Sequence, residues 1–269
     1  MLPVVEIFTS IQGEGKYTGE PSIFVRVSGC NLRCIFKDSV CDTPYTSFKP
    51  EHSRWKNTDD LVLAFKEEQH KNPLVKHVVI TGGEPLLYKQ FLEEFLSRIW
   101  EDKMVITIET NGTRPILNPL SGKFRIDLYS VSPKLSTSVG RVGQQIGDIV
   151  VTQEMINRHN NDRINYQNLV DIVTSSNYQF KFVYSGPECV EEIKNIYQEM
   201  GKIVMTKDDQ FYNFYMRHHP MRNTILMPEG IHSEDLDKKT QEMAKVCIEN
   251  NWKFSDRLHI RIWGDKRGV

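Results

Sequence analysis

Short apolar runs alternate with amphipathic stretches along most of the chain. Runs rich in β-branched and aromatic residues predict strands, and apolar residues that recur every third or fourth position predict helices. The predicted strands are residues 23–27, 76–81, 104–109, 126–132, 178–184, 224–227 and 258–263. The predicted helices are one capped by Asn57, one with Leu92, Phe95, Leu96 and Ile99 on its apolar face, one at 188–200 and one around 233–250.

This alternation of strands and helices predicts an α/β protein with a parallel sheet and crossover helices. Six or seven βα steps are enough for a partial or nearly complete barrel. No Pro/Gly/Ser-rich linker, repeat or low-complexity stretch divides residues 1–269, so we expect a single domain. Residues 140–176 are polar and poorly periodic, and we interpret them as an insertion with one or two helices.

Polar and glycine-rich turns follow three of the predicted strands. They read Gly82-Gly83-Glu84-Pro85, Glu109-Thr110-Asn111-Gly112 and Ser132-Pro133-Lys134. Each turn alone is also typical of an ordinary strand-to-helix connection. In parallel α/β folds, however, ligands bind outside the carboxyl ends of the strands. Three such turns in succession therefore favour a ligand site, with Glu84 available to an ammonium group and Lys134 to a carboxylate.

Composition and charge are those of a globular enzyme of ordinary size. The chain is 39% hydrophobic and 26% charged, with a formal net charge of −1. Because 34 Lys and Arg nearly balance 35 Asp and Glu, we expect no direct binding of nucleic acid. No apolar run is long enough to span a membrane, and no secretory signal begins the chain, so we expect a cytoplasmic protein.

Three of the five cysteines, Cys30, Cys34 and Cys41, lie within twelve residues. A structural zinc site needs four ligands, and neither Cys189 nor Cys247 belongs to a second pair. An odd number of cysteines also disfavours a disulfide framework. Three thiolates can instead hold a cubane iron–sulfur cluster and leave one iron free for a substrate or cofactor. The spacing alone leaves this cluster, zinc and unligated thiols as alternatives.

The cysteine loop and the Gly82-Gly83-Glu84-Pro85 turn together resemble the radical S-adenosylmethionine superfamily. Other motifs resemble, more specifically, its 7-carboxy-7-deazaguanine synthase family. These motifs are Ile11-Gln12-Gly13-Glu14-Gly15, residues 24–34 with Arg26, Cys41-Asp42-Thr43-Pro44-Tyr45, residues 109–113, Ser132-Pro133-Lys134 and residues 263–269. The resemblance implies a partial (β/α)6-type radical SAM barrel with inserted helical segments and a substrate-capping C-terminal segment at 256–269.

One departure from the superfamily concerns the cysteine spacing. The usual motif is C-x3-C-x2-C, whereas this chain has C-x3-C-x6-C, with Cys41 identified by the Asp42-Thr43 that follows it. Loop-closure cost grows slowly with a few extra residues. We therefore expect Cys30, Cys34 and Cys41 still to bind three irons of a [4Fe-4S] cluster, with an altered local fold and an altered docking surface for the reductant.

The resemblance also implies the residues that bind S-adenosylmethionine and magnesium. The fourth iron of the cluster would chelate the amino and carboxylate groups of S-adenosylmethionine. The implied contacts of that cofactor are Val40, Cys41, Asp42, Gly83, Glu84, Asn111, Ser132, Pro133, Lys134, Met227 and Glu229. The Thr43 hydroxyl is the implied Mg2+ ligand, and Asp42 is the competing prediction, since a hard cation favours oxygen.

The implied reaction is ring contraction of 6-carboxy-5,6,7,8-tetrahydropterin to 7-carboxy-7-deazaguanine, with release of ammonia. The implied substrate contacts are Ile11, Gln12, Gly13, Glu14, Arg26, Thr81, His259 and Val269. Glu14 suits the paired N–H donors of a pterin, Arg26 suits its carboxylate, and Val269 would act through its terminal carboxylate.

Further partners follow from the family alone. They are a flavodoxin-like reductant and a second copy of the chain in a homodimer. Two other functions also use some of these features. A radical activase of a glycyl-radical enzyme needs the cluster but not the Gln12-Gly13-Glu14 segment, and a zinc or regulatory module needs only the cysteines.

Overall fold

A large mixed sheet, with eight strands in the described residues, forms the centre of the protein. The computed structural model describes residues 3–37, 39–101, 103–117 and 123–269, so positions 1–2, 38, 102 and 118–122 of the predicted domain lie outside it. The sheet order is β1 (Val4–Ile11), β2 (Pro21–Val27), β3 (His77–Gly82), β4 (Val105–Thr110), β5 (Leu128–Val131), β8 (Tyr178–Tyr184), β9 (Thr224–Pro228) and β10 (Lys253–Phe254). Only the β1–β2 pair is antiparallel in that sheet. A separate hairpin joins β6 (Gln145–Ile146) and β7 (Ile149–Val150).

Helices cover the connections between the parallel strands. They are α1 (Pro44–Ser47), α2 (Thr58–Lys71), α3 (Lys89–Ile99), α4 (Gln153–Asp162), α5 (Tyr166–Ser175), α6 (Glu188–Val204), α7 (Asp209–Arg217), α8 (Ser233–Asn250) and α9 (Leu258–Trp263). Short 3-10 helices occur at Gly15–Tyr17, Pro85–Tyr88, Ser136–Ser138 and Pro220–Asn223. Among the described residues, none of these helices is both long and apolar enough to cross a bilayer.

The core lies between the sheet and its crossover helices. Buried strand residues such as Ile80 and Ile106 belong to the same apolar cluster as Leu92 and Phe95 of α3. Burying one such side chain contributes about 1.5–3 kcal/mol. Because β3 and β4 are covered on both faces, their sequences are nearly continuous apolar runs. The prediction of an α/β fold with a mostly parallel sheet is confirmed.

The prediction of a strand at residues 258–263 is wrong. These residues form helix α9, and the last strand of the sheet is the two-residue β10 that precedes it. Alternation of apolar and polar residues over six positions fits a strand. In the structure Ile260 is buried, whereas Ile262 is 48% exposed. A half-buried strand would place both on the same face.

Residues 140–176 contain two helices, as predicted, but the second is not an added element. Helix α5 connects β5 to β8, and its residues Leu169, Val170, Ile172 and Val173 are buried in the core. It is therefore one of the crossover helices of the sheet. The β6–β7 hairpin and α4 come before α5 in the same connection, and Gln144 at the start of the hairpin contacts the cysteine loop.

Candidate active site

A cavity of about 440 Å3 opens at the carboxyl ends of the parallel strands. Most of the residues predicted for cluster, cofactor and substrate line it, as parallel α/β folds lead one to expect. These residues are Ile11, Gln12, Gly13, Glu14, Arg26, Cys30, Cys34, Cys41, Asp42, Thr43, Thr81, Gly83, Asn111, Ser132, Lys134, Met227, His259 and Val269. The predicted residues that do not line it are Val40, Glu84, Pro133 and Glu229.

The cysteine loop follows β2 and folds back on itself. Ile35 and Val40 form an antiparallel bridge, and the Cys41 amide donates to the Cys34 carbonyl at 3.0 Å. The segment between Cys34 and Cys41 therefore begins and ends at adjacent points. The long interval does not separate Cys41 from Cys34, because the residues next to these two cysteines pair with each other.

All three thiols are free; Cys34 is buried, and Cys30 and Cys41 are half-buried. Burial raises the pKa of Cys30 to about 11 and also raises the pKa values of Cys34 and Cys41. The positive charge of Lys134 opposes this rise at each of the three. Soft thiolates that converge on one cavity wall fit an iron–sulfur cluster. Within the part of the chain that the structure describes, no group of three His, Cys, Asp or Glu side chains is placed so that it could hold a single metal ion.

The two residues after Cys41 differ in their surroundings. Asp42 Oδ2 accepts from Arg257 Nη2 at 2.5 Å, whereas the Thr43 hydroxyl lies 3.4 Å from Cys41 Sγ. Burial alone would raise the pKa of Asp42, but the charge and hydrogen bond of Arg257, together with His259, outweigh it and lower that pKa. Asp42 is therefore an anion with a partner already bound.

The Gly82-Gly83-Glu84 turn joins β3 to the cysteine loop. A Cβ atom on Gly83 would lie 2.0 Å from the Gly29 carbonyl oxygen, and the Glu84 amide donates to that oxygen at 2.8 Å. Gly83 thus permits the backbone before Cys30 to pack directly on the end of β3. This close approach of two backbones accounts for the second glycine of the motif.

The Glu84 carboxylate is fully buried and does not line the cavity. It accepts from the Leu86 amide at 2.9 Å, the Thr110 hydroxyl at 2.8 Å and the Asn111 amide at 2.7 Å. Burial raises its pKa despite these donors. Glu84 therefore ties the end of β3 to the end of β4, and its contact with an ammonium group stays a prediction.

Two other strand ends present polar groups to the cavity. Lys134 Nζ donates to Ser132 Oγ at 2.9 Å, which holds the ammonium near the cysteines. After β4, Asn111 Nδ2 donates to Asn31 Oδ1 at 3.0 Å. This second bond links the β4 turn to the loop that carries the cysteines.

The same cavity is lined by Glu14, whose side chain is 11% exposed and lies between two cations. Lys181 Nζ lies 2.6 Å from its Oε2 and Arg257 Nε lies 2.8 Å from its Oε1. Burial alone would raise the pKa of Glu14, but these two charges outweigh it and hold the pKa well below the usual range. Glu14 is therefore an anion at neutral pH, with its amide bonded to Gln12 Oε1 at 3.1 Å.

A second carboxylate, Glu109, lies beside Glu14. It accepts from Thr81 Oγ1 at 2.7 Å, from Gln12 Nε2 at 3.3 Å and from Lys181 at 3.4 Å. Lys181 thus bridges two acidic groups at the end of β4 and the end of β1. The cavity wall here is a hydrogen-bonded array with both acceptors and donors in fixed positions.

Arg26 and His259 line the same cavity. The Arg26 Nε donates to Glu6 Oε2 at 2.7 Å, and its guanidinium lies over the Phe8 ring at 5.5 Å. His259 packs so closely on Gly13 that a Cβ there would lie 2.0 Å from Nδ1. Burial lowers the pKa of His259.

The C-terminal residues 264–269 lie along the mouth of the cavity. Arg267 holds them in place, because its guanidinium stacks on the Tyr45 ring at 3.7 Å and binds Glu51 at 2.7 Å and Glu6. Val269, the last residue, lines the cavity.

Sequence reasoning missed Lys181 and Arg257. Both are buried and both bind Glu14, yet they lie 167 and 243 residues away from it in the chain. A weak signal was present for Lys181. Gln179 and Lys181 alternate with buried Phe180 and Phe182 in β8, so the polar pair points to the other face of the strand.

The chain matches the family model described as the Radical SAM superfamily over residues 24–164. A 7-carboxy-7-deazaguanine synthase of Halobacterium salinarum is 35% identical over 264 residues, which cover 98% of this chain and 91% of that protein. One of Rhodopirellula baltica is 34% identical over 269 residues, covering 100% and 89%. The crystal structure of QueE from Escherichia coli superposes with a TM-score of 0.58 at 22% identity, covering 96% and 94%. That likeness supports the fold.

Proposed function

The chain belongs to the 7-carboxy-7-deazaguanine synthase family of the radical S-adenosylmethionine superfamily, and we propose how its cavity performs that family's reaction. The enzyme is a lyase that converts 6-carboxy-5,6,7,8-tetrahydropterin to 7-carboxy-7-deazaguanine with release of ammonia. One observation carries the proposal for this site. A mostly shielded, ionised Glu14 and three free cysteines line the same cavity.

The superfamily implies a [4Fe-4S] cluster and S-adenosylmethionine. Cys30, Cys34 and Cys41 would hold the cluster, and their positions in the lining of one cavity support this assignment. When bound and reduced, this pair supplies the 5′-deoxyadenosyl radical with which the superfamily removes a substrate hydrogen. The chain itself shields that chemistry from water inside the cavity.

Lys134 is the residue best suited to the carboxylate of S-adenosylmethionine. Its ammonium group is near the cysteines and is oriented by Ser132, so it can meet an anion without leaving the cavity wall. Gly83, Asn111 and Met227 offer backbone or side-chain contacts around it. Val40, Pro133 and Glu229 lie outside the cavity lining, so we assign them supporting positions around the cofactor rather than direct contacts. The contact of Glu84 with the ammonium group of the cofactor stays a prediction.

Glu14 is the proposed acceptor for the two N–H donors on the guanidine-like edge of the pterin. Its carboxylate is oriented by Lys181 and Arg257, so the donor edge meets a fixed anion rather than a mobile one. Gln12 and Thr81 extend the array through Glu109. Arg26, His259 and the Val269 carboxylate close the remaining sides, with Ile11 and Gly13 as neighbouring wall residues.

We assign Mg2+ to the Thr43 hydroxyl rather than to Asp42. Arg257 already compensates the Asp42 charge, whereas the Thr43 hydroxyl lines the cavity beside Cys41. Mg2+ keeps several waters and needs few protein ligands. A single hydroxyl together with substrate oxygens can therefore complete the site.

The flavodoxin-like reductant, the homodimer and the cytoplasmic location stay predictions. The activase alternative is not favoured, because the relatives that match the whole chain are named as 7-carboxy-7-deazaguanine synthases.

The test is conversion of the tetrahydropterin by anaerobically reconstituted protein. We expect the unchanged chain to bind a [4Fe-4S] cluster and to form 7-carboxy-7-deazaguanine and ammonia. Glu14→Gln should keep the cluster and lose roughly 10- to 100-fold in kcat/KM for the pterin, because it gives up a charged hydrogen bond. Glu20→Gln, at an exposed position, is the matched control. Cleavage of S-adenosylmethionine without any turnover of the pterin by the unchanged chain would contradict the proposal.

A further inference from the structure

The turn between Cys34 and Cys41 receives hydrogen bonds from a distant part of the chain. Within the turn, the Phe36 amide donates to the Ser39 carbonyl at 2.7 Å. The carbonyls of Phe36 and Lys37 accept from Gln144 Nε2, at 2.8 Å and 3.1 Å. One side-chain amide therefore binds two consecutive carbonyls of the turn that the longer cysteine spacing creates.

Gln144 is itself held in position at the start of the β6–β7 hairpin. Its Oε1 accepts from the Arg141 amide at 2.9 Å, and its backbone carbonyl accepts from the Val151 amide at 2.9 Å. The side-chain oxygen and the backbone carbonyl of Gln144 are thus both bonded outside the turn, which orients the side-chain amide toward it. A fixed donor loses less conformational entropy on making a contact than a mobile one.

The segment beside Gln144 contacts the same turn at its base. The Ile35 amide donates to the Ser138 carbonyl at 2.8 Å. Gly140 packs on Ile35, and a Cβ there would lie 2.8 Å from Ile35 Cγ2. The turn is therefore held at its base by residues 138–140 and along its outer carbonyls by Gln144.

The same region also supports the loop that carries Lys134. Arg163, at the end of α4, donates to the Lys134 carbonyl at 2.9 Å and binds Glu192 at 2.6 Å. Ser138 Oγ lies 3.0 Å from the His159 ring on α4. Residues 136–163 thus connect the cysteine turn with the loop of the proposed cofactor cation.

We propose that residues 138–151 act as a brace for the enlarged cysteine loop, with Gln144 as a positioning residue for the cluster ligands Cys34 and Cys41. The inference rests on the proposed function only in that these cysteines hold the cluster. The interval between Cys34 and Cys41 is four residues longer than usual, so the turn can open outward. Such opening would expose the cluster. The brace restricts that opening, because Gln144 donates from outside the turn to two of its consecutive carbonyls.

The experiment compares Gln144→Ala with Gln145→Ala in the reconstituted holoenzyme. Gln145 is the neighbouring residue, and its side-chain amide donates only to Gly147 inside the hairpin. Loss of the cluster to EDTA is followed by its visible absorbance and by released iron. We expect Gln144→Ala to lose iron about five- to tenfold faster, as for one or two neutral hydrogen bonds. Gln145→Ala should match the unchanged chain.

A second variant tests the base of the brace without removing a hydrogen bond. Gly140→Ala should also speed iron loss, because its added Cβ displaces Ile35 next to Cys34. The melting temperature of the cluster-free protein separates the brace from general destabilisation, and we expect it to be the same for Gln144→Ala and Gln145→Ala.

Equal rates of iron loss for Gln144→Ala, Gln145→Ala and the unchanged chain would overturn the brace while leaving the proposed function intact. A lower melting temperature of the cluster-free Gln144→Ala, with an unchanged rate of iron loss, would overturn it as well. Failure of the unchanged chain to take up a cluster would overturn the proposed function and the brace together.

Discussion

Lys181 neutralises two carboxylates that would otherwise repel each other. Its ammonium lies within salt-bridge distance of both Glu14 and Glu109, and the side chains of Lys181, Glu14 and Glu109 are 5%, 11% and 22% exposed. Nearby charges of the same sign raise carboxyl pKa values, and a cation between them lowers those values. This residue therefore keeps Glu14 ionised for the donors of the substrate.

Replacing Lys181 by Met should shift the pH dependence of substrate binding. Without the cation the pKa of Glu14 rises, so as the pH falls the anionic form is lost at a higher pH than in the unchanged enzyme. We expect the acid limb of kcat/KM for the pterin to move upward and KM to rise about tenfold. The measurement is a pH profile of steady-state turnover.

The control for that variant is Lys202→Met on the exposed side of α6. Lys202 pairs with Glu199 in solvent, and exposed pairs of this kind contribute little. Its pH profile should coincide with that of the unchanged enzyme. An acid limb that stays in place in Lys181→Met would show that Lys181 does not set the charge of Glu14.

Gly83→Ala tests the backbone contact beneath Cys30. The added methyl would collide with the Gly29 carbonyl, and neither backbone segment can rotate away as a flexible side chain would. We expect a loss of about 1–3 kcal/mol in the free energy of unfolding, as for other overpacked sites. Denaturant unfolding of the cluster-free protein measures it.

Gly201→Ala is the matched control for Gly83→Ala. Gly201 lies in α6, and a Cβ there would meet nothing within 4 Å. Alanine in a helix interior is more stable than glycine by roughly 0.5–1 kcal/mol. The control should therefore be neutral or slightly stabilised, and a similar result at Gly83 would remove the close-packing explanation.

At the scale of elements, the sequence predicts the buried parallel strands of the sheet but not its two edge strands. β3, β4, β8 and β9 are largely buried, so their apolar runs stand out from the polar sequence around them. Edge strand β1 is mostly half-buried and shows no clear alternation of burial. Local pattern also could not separate α9 from a strand, because six residues fit either period.

The site was predictable where a motif carries it and not where tertiary contacts create it. The cysteines and Glu14 stand in local motifs that a reader can recognise in the sequence. Lys181 and Arg257 stand in no motif, and a charged residue in a strand is ordinarily read as exposed. Only the fold brings them to Glu14.

His77 links three neighbouring strands through its imidazole ring. Its Nδ1 lies 2.7 Å from Ser22 Oγ on β2, and its Nε2 lies 2.8 Å from Thr107 Oγ1 on β4. Burial lowers its pKa to about 4 from a usual value of 6.5. The folded protein therefore keeps this ring neutral at a pH where the unfolded chain protonates it.

This shift predicts how stability depends on pH. Between pH 6.5 and pH 4 the unfolded chain binds more protons than the folded one, so stability falls as the pH is lowered through that window. The size for one such group is roughly 3 kcal/mol. His77→Gln should remove this part of the slope in denaturant unfolding measured at several pH values. The exposed His70→Gln should keep it, and equal slopes in both variants would contradict the assignment.

At the scale of the whole molecule, the C-terminal segment closes a cavity built mostly by the first half of the chain. Arg257 binds Glu14 near the end of β1, Asp42 in the cysteine loop and the Gly230 carbonyl after β9. Arg267 then fastens residues 264–269 to Tyr45 and Glu6. Two arginines thus connect the end of the chain to both sides of the proposed site.

Arg267→Ala should release the end of the chain while leaving the cysteine loop intact. The exposed pair with Glu51 contributes little, whereas the stack on Tyr45 and the partly buried pair with Glu6 contribute more. Because the freed segment must be ordered again when substrate binds, we expect KM for the pterin to rise about tenfold and carboxypeptidase to remove Val269 faster. Iron content should not change.

Arg98→Ala on α3, which removes a comparably exposed arginine paired with Asp59, should alter neither measurement. Unchanged KM and unchanged digestion in Arg267→Ala would mean that the segment is held without this arginine.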